Sequence, residues 1–184
     1  MRVFAGTAKG TRLAPAPRGV RPLLARAREG IFSSLGESVV GARVLDLYAG
    51  TGALGIEALS RGAAAATFVD RDRSALRVVR DNLVRTGLGQ GAVAVLDDAL
   101  SFVTKTDKNA GPYELVFLDP PYSLEAGDLE PVLKGLAGGR LLSSDWAAVL
   151  TRGRRSSTPV IPLDWRVARR LGYGDTLVFV YREV

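Results

Sequence analysis

The stretch Arg43-Val44-Leu45-Asp46-Leu47-Tyr48-Ala49-Gly50-Thr51-Gly52 decides the fold. A short apolar run, too short for a helix, ends in a turn bracketed by two glycines. The apolar segment Ala53–Leu59 follows at once, so the passage reads as strand, tight turn and helix. The same alternation continues outward. Strands are expected at Ala66–Asp70, Ala92–Leu96, Tyr113–Asp119 and Trp146–Leu150. Helices are expected near 72–86, 98–104 and 127–137. Strands alternating with helices imply βαβ units and a parallel sheet covered on both faces. The end breaks the rule: Trp165–Tyr173 and Thr176–Tyr181 flank Gly174-Asp175 and read as a hairpin. An antiparallel pair therefore closes one edge of the sheet.

Ahead of the deciding stretch the pattern differs. Residues 2–13 read as a small β-hairpin around a Gly/Lys turn, and 14–22 as a Pro- and Gly-rich linker. Leu23, Leu24, Ala27, Ile31, Phe32 and Leu35 have helical spacing. The expected division is a basic hairpin arm over 1–22 and the main domain over 23–184. Asp107–Pro112 reads as a surface loop.

With 184 residues, 47% of them hydrophobic, the chain can bury one sizeable core. It has no Cys and no His. This excludes disulfides, cysteine nucleophiles, a usual zinc site and a Ser-His-Asp triad. No metal is expected. Chemistry must run on carboxylates, hydroxyls, backbone groups, Lys, Arg or a bound cofactor. No run approaches the roughly 20 apolar residues of a membrane span, and Met1–Gly6 lacks the apolar segment of a secretory signal. A soluble, cytoplasmic monomer is the plain expectation. The net charge is +6, and residues 1–30 carry seven basic side chains against one acid, Glu29. A basic segment of this kind marks a polyanionic partner, and Arg2, Lys9, Arg12, Arg18 and Arg21 are the expected phosphate contacts. A solvated tail is the plainer alternative.

Gly50, Gly52 and Gly55 satisfy G-x-G-x-x-G, which by itself also fits a nicotinamide dinucleotide. Asp46 argues otherwise. A carboxylate just before the glycine turn suits the ammonium of a methionine moiety far better than a pyrophosphate. Asp70, ending the next strand, can accept ribose hydroxyls. It could also cap the following helix, where Asp72 would serve as well. Asp98 and Ala99 follow the third strand, where a side chain and a backbone N–H can meet an adenine. Asp98 is preferred to Asp97, with helix capping as its competing role. Asp46, Tyr48, Gly50, Gly52, Asp70, Asp98 and Ala99 form the expected cofactor set, and S-adenosyl-L-methionine the expected cofactor.

Asp119-Pro120-Pro121-Tyr122 ends the fourth strand, at the sheet edge where open α/β folds bind ligands. A base amino group is a poor nucleophile because its lone pair is delocalised. Asp119 and the Pro120 carbonyl can accept its two N–H bonds and favour a pyramidal nitrogen. Tyr122 offers a face for a base taken out of its stack. Asp119, Pro120 and Tyr122 are the expected catalytic residues; a Pro-rich turn with Tyr122 as packing is the alternative.

These residues resemble the class I methyltransferases, and D-P-P-Y their amino-methyltransferase signature. Arg21-Pro22, Arg26-x-Arg28-Glu29, Asp46 through Ala63, Asp119–Tyr122 and Gly174-Asp175-Thr176 are most similar to the RsmD family, which methylates a guanine N2 in small-subunit ribosomal RNA. The resemblance spans nearly the whole chain. It implies a Rossmann-like sheet of seven strands, mostly parallel, and a ribosomal RNA or small-subunit partner. Leu23-Leu24-Ala25 stands where the family usually has Thr-Thr-Asp, and Thr151-Arg152-Gly153 where it tends to carry an acid. An adenine-N6 or other amino-methyltransferase, a nicotinamide-dependent oxidoreductase and a non-catalytic RNA-binding module are the other readings.

Overall fold

The computed structural model describes residues 1–16, 22–105, 111–138 and 141–184. Seven strands form one sheet: β1 (Arg43–Leu47), β2 (Ala65–Asp70), β3 (Ala92–Leu96), β4 (Tyr113–Leu118), β5 (Leu142–Gly153), β6 (Trp165–Tyr173) and β7 (Thr176–Glu183). Their order is β3-β2-β1-β4-β5-β7-β6. Pairings from β3 to β5 are parallel, and β7 runs antiparallel to both β5 and β6. The seven-stranded, mostly parallel sheet with its C-terminal hairpin is therefore as expected. The chain reverses its direction of growth between β1 and β4, which opens a crevice at the carboxyl ends of those strands.

The helices are α1 (Ala25–Leu35), α2 (Ala53–Ser60), α3 (Arg73–Thr86), α4 (Ala99–Lys105) and α5 (Ala126–Gly138). Two apolar layers form on the two sheet faces. One packs Ile31, Phe32, Leu54, Ile56 and Val79 against Val44, Phe68 and Phe117. The other packs Phe102, Leu129, Leu133 and Leu136 against Leu45, Val116 and Leu150. Strands buried on both faces read as continuous apolar runs, which is why β1 and β4 were legible without alternation.

β5 extends beyond the expected Trp146–Leu150 at both ends. Leu142 pairs with Tyr113, and Thr151, Arg152 and Gly153 pair with Val178, Leu177 and Thr176. The polar residues Thr151 and Arg152 hid this extension, since both are fully buried. A short 3-10 turn, Gly36–Val39, was also not anticipated.

The N-terminal hairpin closes through an isolated antiparallel bridge, Arg2 with Arg12, rather than through paired strands. The segment packs on the main core. Val3, Ala8 and Leu13 are buried in the α1–α2–α3 layer. The backbone N–H groups of Phe4 and Ala5 donate to the Glu57 carboxylate at 2.8 and 3.0 Å. Thr7 N donates to Ser60 O, Ala8 N to Ser60 Oγ, and Ala14 N to Asn82 Oδ1. Gly6, with φ +80°, lies so close to α2 that a β-carbon would come within 1.6 Å of Ser60 O. Arg28 is fully buried with its guanidinium 4.2 Å from the Phe4 ring centroid. Burial pulls its pKa below the usual arginine value, and Glu57 opposes that shift. Of the linker and loop expected from the sequence, 17–21 and 106–110 lie outside the described residues, and Arg18 and Arg21 with them.

Candidate active site

Sheet register explains how three acids reach one place. Asp46 on β1 pairs with Phe68 on β2 and Phe117 on β4, so the three share a face. Side chains alternate along a strand. Two residues further on, Asp70 and Asp119 return to that same face on either side of Asp46. Val149 on β5 is level with Phe117, so Thr151 arrives level with Asp119.

A cleft of about 710 Å³ lies there, within the size range of small-molecule sites. Asp46, Tyr48, Gly50, Asp70, Asp98, Ala99, Asp119, Pro120 and Tyr122 all line it. Gly52 does not; with φ +73° it caps the N-terminus of α2 behind the wall. Met1, Pro22 and Leu23 close one side, bringing the N-terminal segment to the cleft mouth. Arg2, Lys9 and Arg12 do not line it.

Asp46 is buried, and its Oδ2 accepts the Gly55 N–H at 3.0 Å. Desolvation pushes its pKa well above the carboxylate range, and Asp119 and Asp70 add to this. Neither of the two salt bridges among the described residues involves Asp46. Gly55 permits this approach, because a β-carbon there would sit 2.4 Å from the Phe68 ring and 3.1 Å from Asp46 Oδ2. The last glycine of G-x-G-x-x-G thus packs a helix on a strand.

Asp70 accepts Gly50 N through Oδ2 and Asp72 N through Oδ1, both at 2.9 Å. It ties the glycine turn to β2, and each oxygen retains a lone pair for a hydroxyl donor. The cap of α3 is Asp72, which accepts Ser74 N at 2.7 Å. Asp98 plays two parts: its Oδ1 accepts Leu100 N at 2.9 Å at the start of α4, and the residue also lines the cleft. Asp97 accepts the Asp98 N–H. Tyr48 has φ +61°, a conformation few non-glycine residues adopt, and such strain clusters at ligand sites. Burial raises its hydroxyl pKa to about 12, with Asp98 contributing.

Asp119 accepts a hydrogen bond from Thr151 Oγ1 through Oδ1. Burial raises its pKa to about 6, against the lowering effect of that bond. Tyr122 OH lies 2.6 Å from Thr176 Oγ1 on β7. Its ring rests on Gly153, where a β-carbon would meet Cδ2 at 3.1 Å. Ser156 Oγ donates to the Tyr122 carbonyl at 3.1 Å. Thr151 and Thr176, which hold the D-P-P-Y side chains, stood in the sequence only as a departure from the family pattern and a match to it, with no role assigned to either. Asn82, whose buried amide donates to Thr51 O at 2.9 Å and so braces the glycine turn from α3, carried no signal in the sequence. The departure Leu23-Leu24-Ala25 has a visible consequence: Leu24 stands at the α1 N-cap and offers the helix no side-chain hydrogen bond.

A family model described as Conserved hypothetical protein 95 matches residues 1–182. The chain belongs to this family. Among its relatives, Ribosomal RNA small subunit methyltransferase D of Escherichia coli (strain K12) is 32% identical over all of this chain and 90% of its own length. The protein of that name from Haemophilus influenzae is also 32% identical, over all of this chain and 94% of its own. The solved structure of yhhF from Escherichia coli superposes with a TM-score of 0.86 at 32% identity, covering 100% of this chain and 97% of that one. A hypothetical protein of Thermus thermophilus, TTHA0928, gives 0.81 at 28% identity, covering 98% of each chain. The family match includes the N-terminal segment, so Glu57 and its clamp on Phe4 and Ala5 lie within the matched region.

Among the described residues, no group of His, Cys, Asp and Glu could hold a metal ion. No helix among them is long and apolar enough to cross a membrane.

Proposed function

We propose that this chain transfers a methyl group from S-adenosyl-L-methionine to the exocyclic N2 of a guanine in small-subunit ribosomal RNA. The observation that carries the reading is the convergence of Asp46, Asp70 and the Asp119-Pro120 pair on one cleft. The names of the full-length relatives support the substrate class.

The residues present fit the cofactor. Asp46 is a buried carboxylate with a raised pKa, a site that a cationic ammonium would relieve. A pyrophosphate against the same carboxylate would be repelled, which disfavours a nicotinamide dinucleotide. Asp70 would take the ribose hydroxyls, and Asp98 with the Ala99 N–H the adenine; Tyr48 and Gly50 shape the wall, and Gly52 supports it from the α2 N-terminus. When bound, the cofactor supplies an electrophilic methyl carbon. This chain's residues supply orientation. Asp119 and the Pro120 carbonyl accept the amino hydrogens, which turns the nitrogen lone pair toward the cleft. A nitrogen that takes up a methyl group must lose a proton, and the Asp119 carboxylate would accept it. Thr151 fixes that carboxylate, and Tyr122, tethered to Thr176, presents its ring to the base. Positioning of this kind accounts for much of a bimolecular barrier without metal or imidazole. Arg2, Lys9 and Arg12, with Arg18 and Arg21, contact RNA phosphates. The protein works as a monomer in the cytoplasm, where ribosomal RNA is available to it.

The test is nucleoside mass spectrometry. Small-subunit RNA transcribed without modification is incubated with the protein and cofactor, then digested. N2-methylguanosine is expected. Methylation appearing on adenine N6 transfers the reading to another amino group; no methylation, with binding of NADH in calorimetry, overturns it.

A further inference from the structure

A second cleft lies across Tyr122 from the first, and the reaction proposed above does not use it. The end of β5 and the loop after it line it with Arg152, Arg154 and Arg155, and the acids Glu125 and Asp175 line it too. Charge along the sequence is more segregated than the N-terminal excess suggests. Residues 31–150 hold eleven basic and fifteen acidic side chains, whereas 151–184 hold seven basic and three acidic. The chain therefore has a second basic region, and this cleft lies at its start.

Arg152 is the unusual member. It is 1% exposed. Its Nε and Nη2 donate to Ser157 O at 3.3 and 3.2 Å, while Nη1 has no partner among the described residues. Glu125, Tyr181 and Tyr48 face it, and desolvation lowers its pKa. A buried guanidinium with an unpaired N–H costs free energy unless a ligand supplies an acceptor. Arg154 and Arg155 are exposed beside it. Arg154 Nε donates to Gly174 O at 3.0 Å, which pins the loop to the β6–β7 turn. Ser156 holds the same loop to the Tyr122 carbonyl. The basic groups are thus mechanically tied to the tyrosine on which the base is to rest.

Resting on the RNA-methyltransferase reading, we propose that this cleft binds a backbone phosphate adjacent to the methylated nucleotide, through Arg152, Arg154 and Arg155. A nucleotide splayed out onto Tyr122 carries its own phosphates with it, and they must pass close to the tyrosine. Guanidinium groups match phosphate oxygens in fork geometry. Phosphate contacts fix register without reading sequence. The cleft therefore sets how deep the base enters, while the Asp119 side sets what is methylated.

The test uses unmodified small-subunit ribosomal RNA and filter binding across a potassium chloride series. Arg154→Ala/Arg155→Ala should flatten the log-log salt slope by about 0.7 for each phosphate no longer neutralised. It should raise KM for RNA at least fivefold while leaving kcat and cofactor affinity within twofold. Arg154→Lys/Arg155→Lys keeps the charges and should restore the slope, which a purely structural loop would not do. Arg85→Ala, at the far end of α3, should leave the slope unchanged. If wild-type protein holds RNA and the double alanine variant has the same slope, the cleft assignment is wrong and the methyltransferase reading stands. If wild-type protein holds no RNA and methylates none, both fall.

Discussion

The two halves of the sheet hold their charged side chains by opposite means. On the β1–β3 side the acids are pinned by main-chain donors: Gly55 to Asp46, Gly50 and Asp72 to Asp70, Leu100 to Asp98. On the β5–β7 side the guanidinium groups rest on main-chain acceptors and keep N–H groups to spare: Arg154 is exposed with Nε on Gly174 O, Arg155 is exposed beside it, and Arg152 is buried on Ser157 O with Nη1 unmatched among the described residues. The contrast fits the ligands proposed for each side. A small cationic ligand is recognised by a few carboxylates whose orientation is fixed beforehand, because ordering them on binding would lower affinity. A polyanion is held by charge and counterion release, which tolerate loose geometry. Asp119 stands between the halves, pinned by a side chain from β5 rather than by the main chain.

The sharpest way to break this comparison is at Asp119. Asp119→Ala should lower methyl transfer to RNA by about 10²–10⁴-fold, with cofactor affinity within threefold, read by radiolabel incorporation and calorimetry. Equal loss of cofactor affinity would place Asp119 with the acids of the first half. Gly6→Ala tests where the N-terminal segment belongs. It is basic like the second half but packs on α2, and a β-carbon would collide with Ser60 O. The variant should lose about 2–4 kcal/mol in urea unfolding; a loss under about 0.5 kcal/mol, the range of an ordinary surface substitution, would make the segment a dispensable arm. Asp46→Ala should weaken S-adenosylmethionine binding more than tenfold and leave the salt slope of RNA binding unchanged.

Acidity gives a smaller effect with a defined sign. The Asp119 pKa is raised to about 6, so the accepting carboxylate is lost as pH falls through 6. The rate should halve near pH 6 and drop about tenfold by pH 5, with the N2-methylguanosine product as readout. The same shift sets a stability trend. A carboxyl whose folded pKa exceeds its ordinary 3.8 costs nothing below that value, and the cost grows to its full size above 6. Asp119→Asn should therefore raise Tm at pH 7.5, by about 1–3 kcal/mol of stability, and lose that gain near pH 4. A Tm difference independent of pH would remove the titration argument. The smallest effect belongs to Tyr122→Phe, which keeps the ring and removes the link to Thr176. About a threefold to tenfold fall in kcat/KM is expected, the worth of one hydrogen bond.

Legibility differed between these same regions. In the β1–β3 half, the acids and the glycine turn lie within a few residues of strand ends, so short-range pattern exposed them. Asp98 shows the limit of that pattern, because a helix cap and a cleft wall can be the same residue. In the other half the pattern misled. Thr151 and Arg152 read as the exit from a strand because they are polar, yet they continue β5 in full burial. The N-terminal segment read as an arm because its charge is local, while its apolar residues Val3, Ala8 and Leu13 are spaced too widely to announce a core.

By itself the sequence determined the α/β order, the hairpin that ends it, and the placing of Asp46, Asp70 and Asp119 at strand ends. Alternation along a strand and the demands of a tight turn act over a few residues, and a single chain displays them. Only the tertiary structure decided what holds those residues. Thr151 on Asp119, Thr176 on Tyr122 and Glu57 on the Phe4 and Ala5 amides join positions 32 to 54 residues apart. Two of these links follow from the order β4-β5-β7, and the third from the docking of the N-terminus on α2. Such partners are chosen by which surfaces come to be packed together, a property of the folded whole that no local spacing encodes.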